Sequence, residues 1–334
     1  MIMKTKNLIC ILTLLVLMIS IPFGGMCRQK QLSNKDASKE ANALYAYLND
    51  MYGKKILSGQ MSSSWGVDEI NYIKTATGKL PAINGFDFIT TTDNQNEVNQ
   101  AIQWWKSGGI PTIMWHMGAP GKGEGYESSK KAIDIDNCFI KGTPEYEVFW
   151  AELKEKGDLL LQLKKANVPV LWRPFHELNG NWFWWGKQGP DKFKKLWITM
   201  YDYYTKTLKL DNLIWVLCYT GNPDGTWYPG GKYVDITGAD TYDKDMGAHK
   251  AMYDGVNKIA SNQFPIAFHE CGTPPDPEKC LQENAMWSWW MVWHTSHLTK
   301  LDKGYLTKLY NHDLVITKDE IPDIVMRYGR KKTK

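Results

Sequence analysis

The 334-residue sequence predicts an α/β fold, a (β/α)8 TIM barrel forming one domain behind an N-terminal signal segment. Eight apolar runs rich in β-branched and aromatic residues recur along the chain, and segments of helical period separate them. With the leader set aside roughly 300 residues remain, which suits a single barrel of about 250 residues with insertions. A doubly wound sheet also alternates strands and helices, but it usually carries a Gly-rich phosphate turn after its first strand. Here the first run ends Ser58-Gly59-Gln60, with no such turn.

Residues 1–26 read as an export signal. Lys4 and Lys6 make a basic start, and Leu8 to Ile21 run apolar over a length too short for a comfortable membrane span. Gly24, Gly25, Met26 and Cys27 follow. Lipidation of Cys27 and ordinary cleavage nearby both remain open. Either way the protein is expected outside the cytoplasm, secreted, periplasmic or at the cell surface, and it meets a membrane only through a lipid on Cys27. Residues 27–36 then form a short linker, 37–329 the barrel and 330–334 a basic tail. Helix Ala37–Met51 precedes the strands. These are expected at Ile56–Gln60, Leu80–Phe88, Ile110–Met117, Val168–Glu177, Leu213–Thr220, Tyr233–Tyr242, Pro265–Gly272 and Trp287–Thr295. Helices are expected at Asn94–Lys106, Glu145–Ala166, Pro190–Lys209 and Ala248–Ala260, with Gly304–Tyr310 and Asp319–Arg327 closing the last unit.

The formal charge of +4 sits at the two ends of the chain. Lys4 and Lys6 leave with the signal, and Arg327, Arg330, Lys331, Lys332 and Lys334 crowd the tail, with no acid in either segment. The body is net acidic, which argues against a nucleic-acid partner. Of the six cysteines, Cys218 lies in an apolar run, while Cys271 and Cys280 flank a Pro-rich loop and are a candidate disulfide. No Cys-x-x-Cys pair suggests zinc. The 16 Trp residues cluster, notably at Trp104–Trp105, Trp182–Trp185 and Trp287–Trp293, where amphipathic rings suit a ligand as well as a core.

Two strands end in a carboxylate. The fourth closes Trp172-Arg173-Pro174-Phe175-His176-Glu177, and the seventh closes Ile266-Ala267-Phe268-His269-Glu270-Cys271-Gly272. Barrel active sites lie at the C-terminal ends of the strands. Burial there raises a carboxyl pKa, and retaining glycoside hydrolysis needs one protonated and one ionised carboxyl about 5–5.5 Å apart. On position alone, two structural glutamates in ion pairs fit as well.

The stretch Arg173-Pro174-Phe175-His176-Glu177-Leu178-Asn179-Gly180-Asn181-Trp182-Phe183-Trp184-Trp185-Gly186 resembles the acid/base signature of glycoside hydrolase family 26, the β-mannanase family, including His rather than Asn before the acid. Further segments follow the family in order: Pro81–Asp87, Trp115-His116-Met117, Trp227–Gly230 with Asp240-Thr241-Tyr242, Met291-Val292-Trp293, and Asn311-His312 with Val315-Ile316-Thr317. The resemblance implies Glu177 as acid/base and Glu270 as nucleophile, with Tyr242 orienting the nucleophile. It also implies His116 and His176 lining the sugar site, Trp182 and Trp293 as sugar platforms, and no metal or organic cofactor. The implied activity is endo-acting, retaining hydrolysis of β-1,4-mannosidic bonds in mannan, galactomannan or glucomannan by a monomer whose partner is that polysaccharide or its oligosaccharides. Mixed-linkage β-glucan or β-1,3-xylan as substrate, or a non-catalytic glycan-binding barrel, are the alternatives. His269 and Arg173 read as core neighbours, and Trp184, Trp185 and Trp290 serve packing as readily as binding. Two positions depart from the family: Ser58-Gly59-Gln60 stands where relatives show Gly-His-Gln, and His294 where mannanases often have Arg. Cleavage inside the polymer is expected because Ile89–Asp93 is too short to wall off the cleft. The glycine-rich start of the insertion Gly118–Thr143 reads as a flexible lip.

Overall fold

The computed structural model describes residues 31–63, 66–89, 94–261 and 265–329. The segment expected to direct export, with Cys27, the tail 330–334 and most of Ile89–Asp93 lie outside the described residues. Eight parallel strands close into a barrel: β1 (Gly59–Met61), β2 (Ile83–Asp87), β3 (Ile110–Trp115), β4 (Val170–Pro174), β5 (Leu213–Tyr219), β6 (Ile236–Thr241), β7 (Ile266–Cys271) and β8 (Trp290–Val292). β1 completes the circle, pairing with β2 through Gly59↔Ile83 and with β8 through Gln60↔Val292.

Strand periodicity sorts the core into two layers. Met114, Leu171, Ile214, Val216, Ala267 and Met291 belong to the cluster that fills the lumen. Their neighbours Ile113, Trp172, Trp215, Leu217, Phe268 and Trp290 belong to the larger cluster under the helices. Helix α1 (Lys39–Met51), capped by Ser38, joins the lumen cluster through Ala41, Leu44, Tyr45 and Leu48, so it packs over the N-terminal end of the barrel. The outer ring includes α2 (Glu69–Thr77), α3 (Asn94–Lys106), α4 (Pro144–Lys165), α5 (Pro190–Asp202), α6 (Lys250–Ala260) and α7 (Lys303–Tyr310). The sequence signals of α4 are typical: Thr143 caps it, Pro144 sits in its first turn, Glu145 and Glu147 lie at the positive end and Lys164 and Lys165 at the negative end.

Four expectations change. The first apolar run is two strands. Ile56–Leu57 pairs with Val315–Ile316 outside the barrel, because both the amide and the hydroxyl of Ser58 bond the Ile316 carbonyl. β1 begins one residue later at Gly59, where a Cβ would meet the Trp290 carbonyl oxygen at 2.2 Å. Helix Asp319–Arg327 is broken before Pro322 into a 3-10 turn, Lys318–Glu320, and a short helix, Ile324–Tyr328. The glycine-rich start of the insertion Gly118–Thr143 is folded rather than a free lip: a Cβ on Gly118 would meet the Gly123 oxygen at 2.3 Å, and the Ser128 hydroxyl donates to the Gly123 carbonyl at 2.7 Å. The insertion contains a helical turn at Gly125–Ser129 and a 3-10 turn at Ile135–Phe139, it buries Ile133, Ile135 and Cys138, and the Trp150 indole donates to the Cys138 carbonyl at 3.2 Å. Cys271 and Cys280 are separately buried free thiols, as are Cys138 and Cys218. Each is accommodated as a small apolar group.

Candidate active site

β4 stops at Pro174, and the chain then enters a conformation that few side chains adopt. Phe175 and Glu177 both have φ of +50°, a costly region that persists only where the surroundings fix it. Three bonds do so. The Leu178 amide donates to the Cys218 carbonyl (3.1 Å), the Trp185 indole to the His176 carbonyl (2.9 Å) and the Asn179 side chain to the Asn222 carbonyl (2.7 Å). The motif folds back tightly enough that a Cβ on Gly186 would meet the Gly180 oxygen at 2.3 Å. Phe175 is thereby buried against Trp184 and Trp185, and Glu177 reaches the barrel mouth.

Glu270 arrives by a different device. Ala239 pairs with Phe268 but Asp240 with Glu270, so His269 is an extra residue in β7. Ordinary alternation would send Glu270 outward, since Phe268 belongs to the outer layer. The bulge re-aims it inward. His269 also points into the lumen, where its ring nitrogens meet Arg173 Nη1 and the Tyr219 carbonyl, each at 3.1 Å. Arg173 is fully buried, and its Nη2 also meets the thioether sulfurs of Met114 (3.0 Å) and Met61 (3.3 Å). Its Nη1 lies 3.7 Å from Glu270 Oε2. The Tyr242 hydroxyl donates to Glu270 Oε1 in a short contact.

Glu177, Glu270 and Asp240 converge, one oxygen of each lying within 4.8 Å of the other two. The Trp182 indole donates to Glu177 Oε2 at 2.6 Å. Three carboxylates at that spacing cannot all ionise. Burial first, and then the Glu177 carboxyl, holds Asp240 well above the usual carboxylate range. Glu270 is pushed up to about 7 by burial and by Glu177, against Arg173, Tyr242 and His116, which favour its anion. The cluster titrates as a unit. Glu270 is the member with cationic and hydroxyl partners, so it is the one best able to carry the negative charge, while burial and the Glu177 carboxyl favour the neutral form of Asp240. The spacing of the three oxygens would also suit a cation, but the Arg173 guanidinium, 3.7 Å from Glu270 Oε2, already supplies positive charge there.

The histidines behave differently from one another. Burial opposes charge on His116, yet the contacting Asp87 carboxylate outweighs it and raises the imidazole pKa. His176 is kept neutral, its pKa pushed well down by burial and then by His116 and Arg173. His176 was expected to line the sugar site, but it is 0% exposed, under His116 and Phe183 with ring centroids at 4.5 and 5.1 Å. Trp182 and Tyr242 are 42% and 41% exposed and border a cleft of about 880 Å³. Trp293 is half-buried, its ring 6.0 Å from that of His116. The structure thus brings Glu177, Glu270, Trp182 and Tyr242 together, and sets His116 near them with Trp293 and the buried His176 against its ring. It adds Asp240 and Asp87, which the sequence reading passed over although each ends an apolar strand as the two glutamates do.

A (β/α)8 barrel with paired carboxyls on the ends of β4 and β7 has the architecture of a glycoside hydrolase. Comparison with known proteins is more specific. Residues 33–320 match the model for glycosyl hydrolase family 26, and the chain belongs to that family. It is 33% identical over 314 residues to a mannan endo-1,4-β-mannosidase of Thermothelomyces thermophilus, covering 87% of this chain and 63% of the relative. It covers about half of two Piromyces mannosidases, 53% of one and 50% of the other. Among solved structures, the Podospora anserina GH26-CBM35 β-(1,4)-mannanase superposes with a TM-score of 0.80 at 32% identity, over 88% of this chain and 69% of that one. A β-mannanase from a symbiotic protist of the termite Reticulitermes speratus, complexed with gluco-manno-oligosaccharide, gives a TM-score of 0.79 at 30% identity, over 87% and 97%.

Proposed function

We propose that this protein is an endo-acting, retaining β-1,4-mannanase that works by double displacement. The observation that carries the reading is the approach of the Glu177 and Glu270 carboxyls within 4.8 Å, the close spacing of a nucleophile and acid/base pair rather than the wider gap that an inverting enzyme leaves for water. In the first step a Glu270 oxygen attacks the anomeric carbon, the glycosidic bond breaks and Glu177 delivers a proton to the leaving oxygen. In the second, water attacks the same carbon, Glu177 takes its proton and Glu270 departs as carboxylate. Tyr242 and Arg173 suit the stabilisation of that carboxylate. Asp240, close enough to share a proton with Glu177, suits keeping the acid form available at neutral pH. Trp182 and Trp293 offer apolar rings to the C–H faces of the sugars, and His116 and Asp87 offer polar partners to hydroxyls.

Mannan as substrate is supported by the mannosidase and mannanase relatives. The test is release of reducing sugar from mannan, lichenan and β-1,3-xylan, with mannan viscosity followed in parallel. Mannan turnover with viscosity falling ahead of reducing ends is the expected result; a single disaccharide as sole early product would refute internal cleavage. The same reading includes export, on the basic start and apolar run of residues 1–26, and action as a monomer, since one chain supplies all the gathered residues. Cys27→Ser should release the mature protein from detergent-extracted membranes if Cys27 is lipidated, and a soluble wild-type protein with another N-terminus would exclude the anchor.

A further inference from the structure

The segment after β8 turns at a residue ill suited to its place. Thr295 has φ +54° and ψ −120°, the first central position of a type II′ turn, which glycine ordinarily fills. The turn is closed by the His297 amide on the His294 carbonyl at 3.3 Å. For a β-branched side chain this backbone is an outlier, held only if something outside the turn fixes it.

That something is on α2. The Thr295 amide donates to Glu69 Oε1 at 2.8 Å, across 226 positions of sequence. Glu69 is 2% exposed, and its two oxygens also accept the Ser63 hydroxyl (2.8 Å) and amide (3.1 Å), which ties the carboxylate to the end of β1. The turn has the candidate site on both sides. Two residues before it, Trp293 faces the His116 ring, with its carbonyl accepting from Gln60 at 3.3 Å. Two residues after it, His297 packs against the Tyr242 ring with centroids 5.0 Å apart, and Tyr242 is the donor to Glu270. We infer that Glu69, which the reading above leaves outside the chemistry, is a positioning residue: its carboxylate holds the strained Thr295 turn and so sets Trp293 and the Tyr242–Glu270 pair together. The kinetic consequence rests on the mannanase reading; the clamp itself does not.

The test is a double-mutant cycle. Glu69→Ala should lower kcat/KM for a mannan oligosaccharide about ten-fold, mostly through KM, as a strained turn relaxes and Trp293 loses its aim. Thr295→Gly relieves the strain, so Glu69→Ala/Thr295→Gly should recover to within about three-fold of Thr295→Gly alone. A merely structural Glu69 would lower the melting temperature without that rescue. Equal impairment of the double and single Glu69 variants, with both folded by circular dichroism, would overturn the inference. If the wild-type protein does not cleave mannan, the functional reading fails separately. Hydrogen exchange at the Thr295 amide, faster in Glu69→Ala than in wild type, still tests the clamp, and unchanged exchange would refute it.

Discussion

Replacing Tyr242 with Phe takes one oxygen from the site and leaves the ring against His297 in place. The lost group is the hydroxyl that donates to Glu270 Oε1, and Arg173 Nη1, 3.7 Å from Oε2, remains as the other stabiliser of that carboxylate. A hydrogen bond to a charged group contributes about 1.5–3 kcal/mol. Tyr242 is 41% exposed, so solvent screening places the loss near the lower end, about 1.5 kcal/mol, or roughly ten-fold in rate. The sign for pH follows from which form reacts. Glu270 must be ionised to attack, and its pKa is already pushed up to about 7 by burial and by Glu177. Removing a donor that favours the anion raises it further, so activity is lost at higher pH as the solution is acidified. The acid limb of kcat/KM for an activated aryl mannobioside should therefore move up by about one pH unit. Arg173→Gln would disturb more, but it also strips a buried cation from His269 and two methionines, so Tyr242→Phe is the cleaner probe. An acid limb that stays in place, with kcat/KM within two-fold of wild type, would refute the assignment of Tyr242 and of the Glu270 anion with it.

Asp240→Asn removes one of the two acids that share a proton beside the leaving group. The basic limb of kcat/KM should move to lower pH by about one unit, and an unmoved limb would exclude proton sharing. Far from the site, Asp235 is buried with the Ser33 and Trp215 amides on its carboxylate, and burial raises its pKa to about 6. A folded-state pKa above the unfolded one means stability present below about pH 4 and lost as pH rises through about 6, on the order of 2–3 kcal/mol. Asp235→Asn should flatten that decline in urea melts at acidic and neutral pH; an identical slope in the variant would contradict it. Trp182→Ala should weaken oligosaccharide binding about ten-fold, measured by calorimetry on a Glu270→Ala background, and full affinity would remove Trp182 from the sugar cleft.

The strand pattern and the two glutamates were legible because each rests on a local signal. Continuous apolar runs, buried on both faces, mark the strands, and Glu177 and Glu270 end two of them within recognisable segments. What was hidden depends on contacts remote in sequence. The split at Ser58 is decided by the Ile316 carbonyl, 258 positions away, and no propensity at Ile56–Gln60 reports it. α2 is only nine residues, EINYIKTAT, and of the three it buries, Glu69, Ile73 and Thr77, just one is apolar, so no apolar stripe announces it. The bulge at His269 is invisible in a run that reads as smooth strand, yet it turns Glu270 inward. The complete burial of His176 follows from Phe183 and the packed back of the motif, which a linear reading does not reveal. Asp87 and Asp240 could have been found by applying the strand-end criterion to every acid rather than to two.

The stereochemistry of the first product tests the central claim most directly. Proton NMR of a mannan oligosaccharide during its hydrolysis resolves the anomer released before mutarotation. A Glu177–Glu270 pair spaced for attack by Glu270 and a covalent glycosyl-enzyme predicts the β-anomer first, with the α-anomer growing in later. An initial α-anomer would mean single displacement by water, and the roles assigned to Glu270, Tyr242 and Arg173 would fall together.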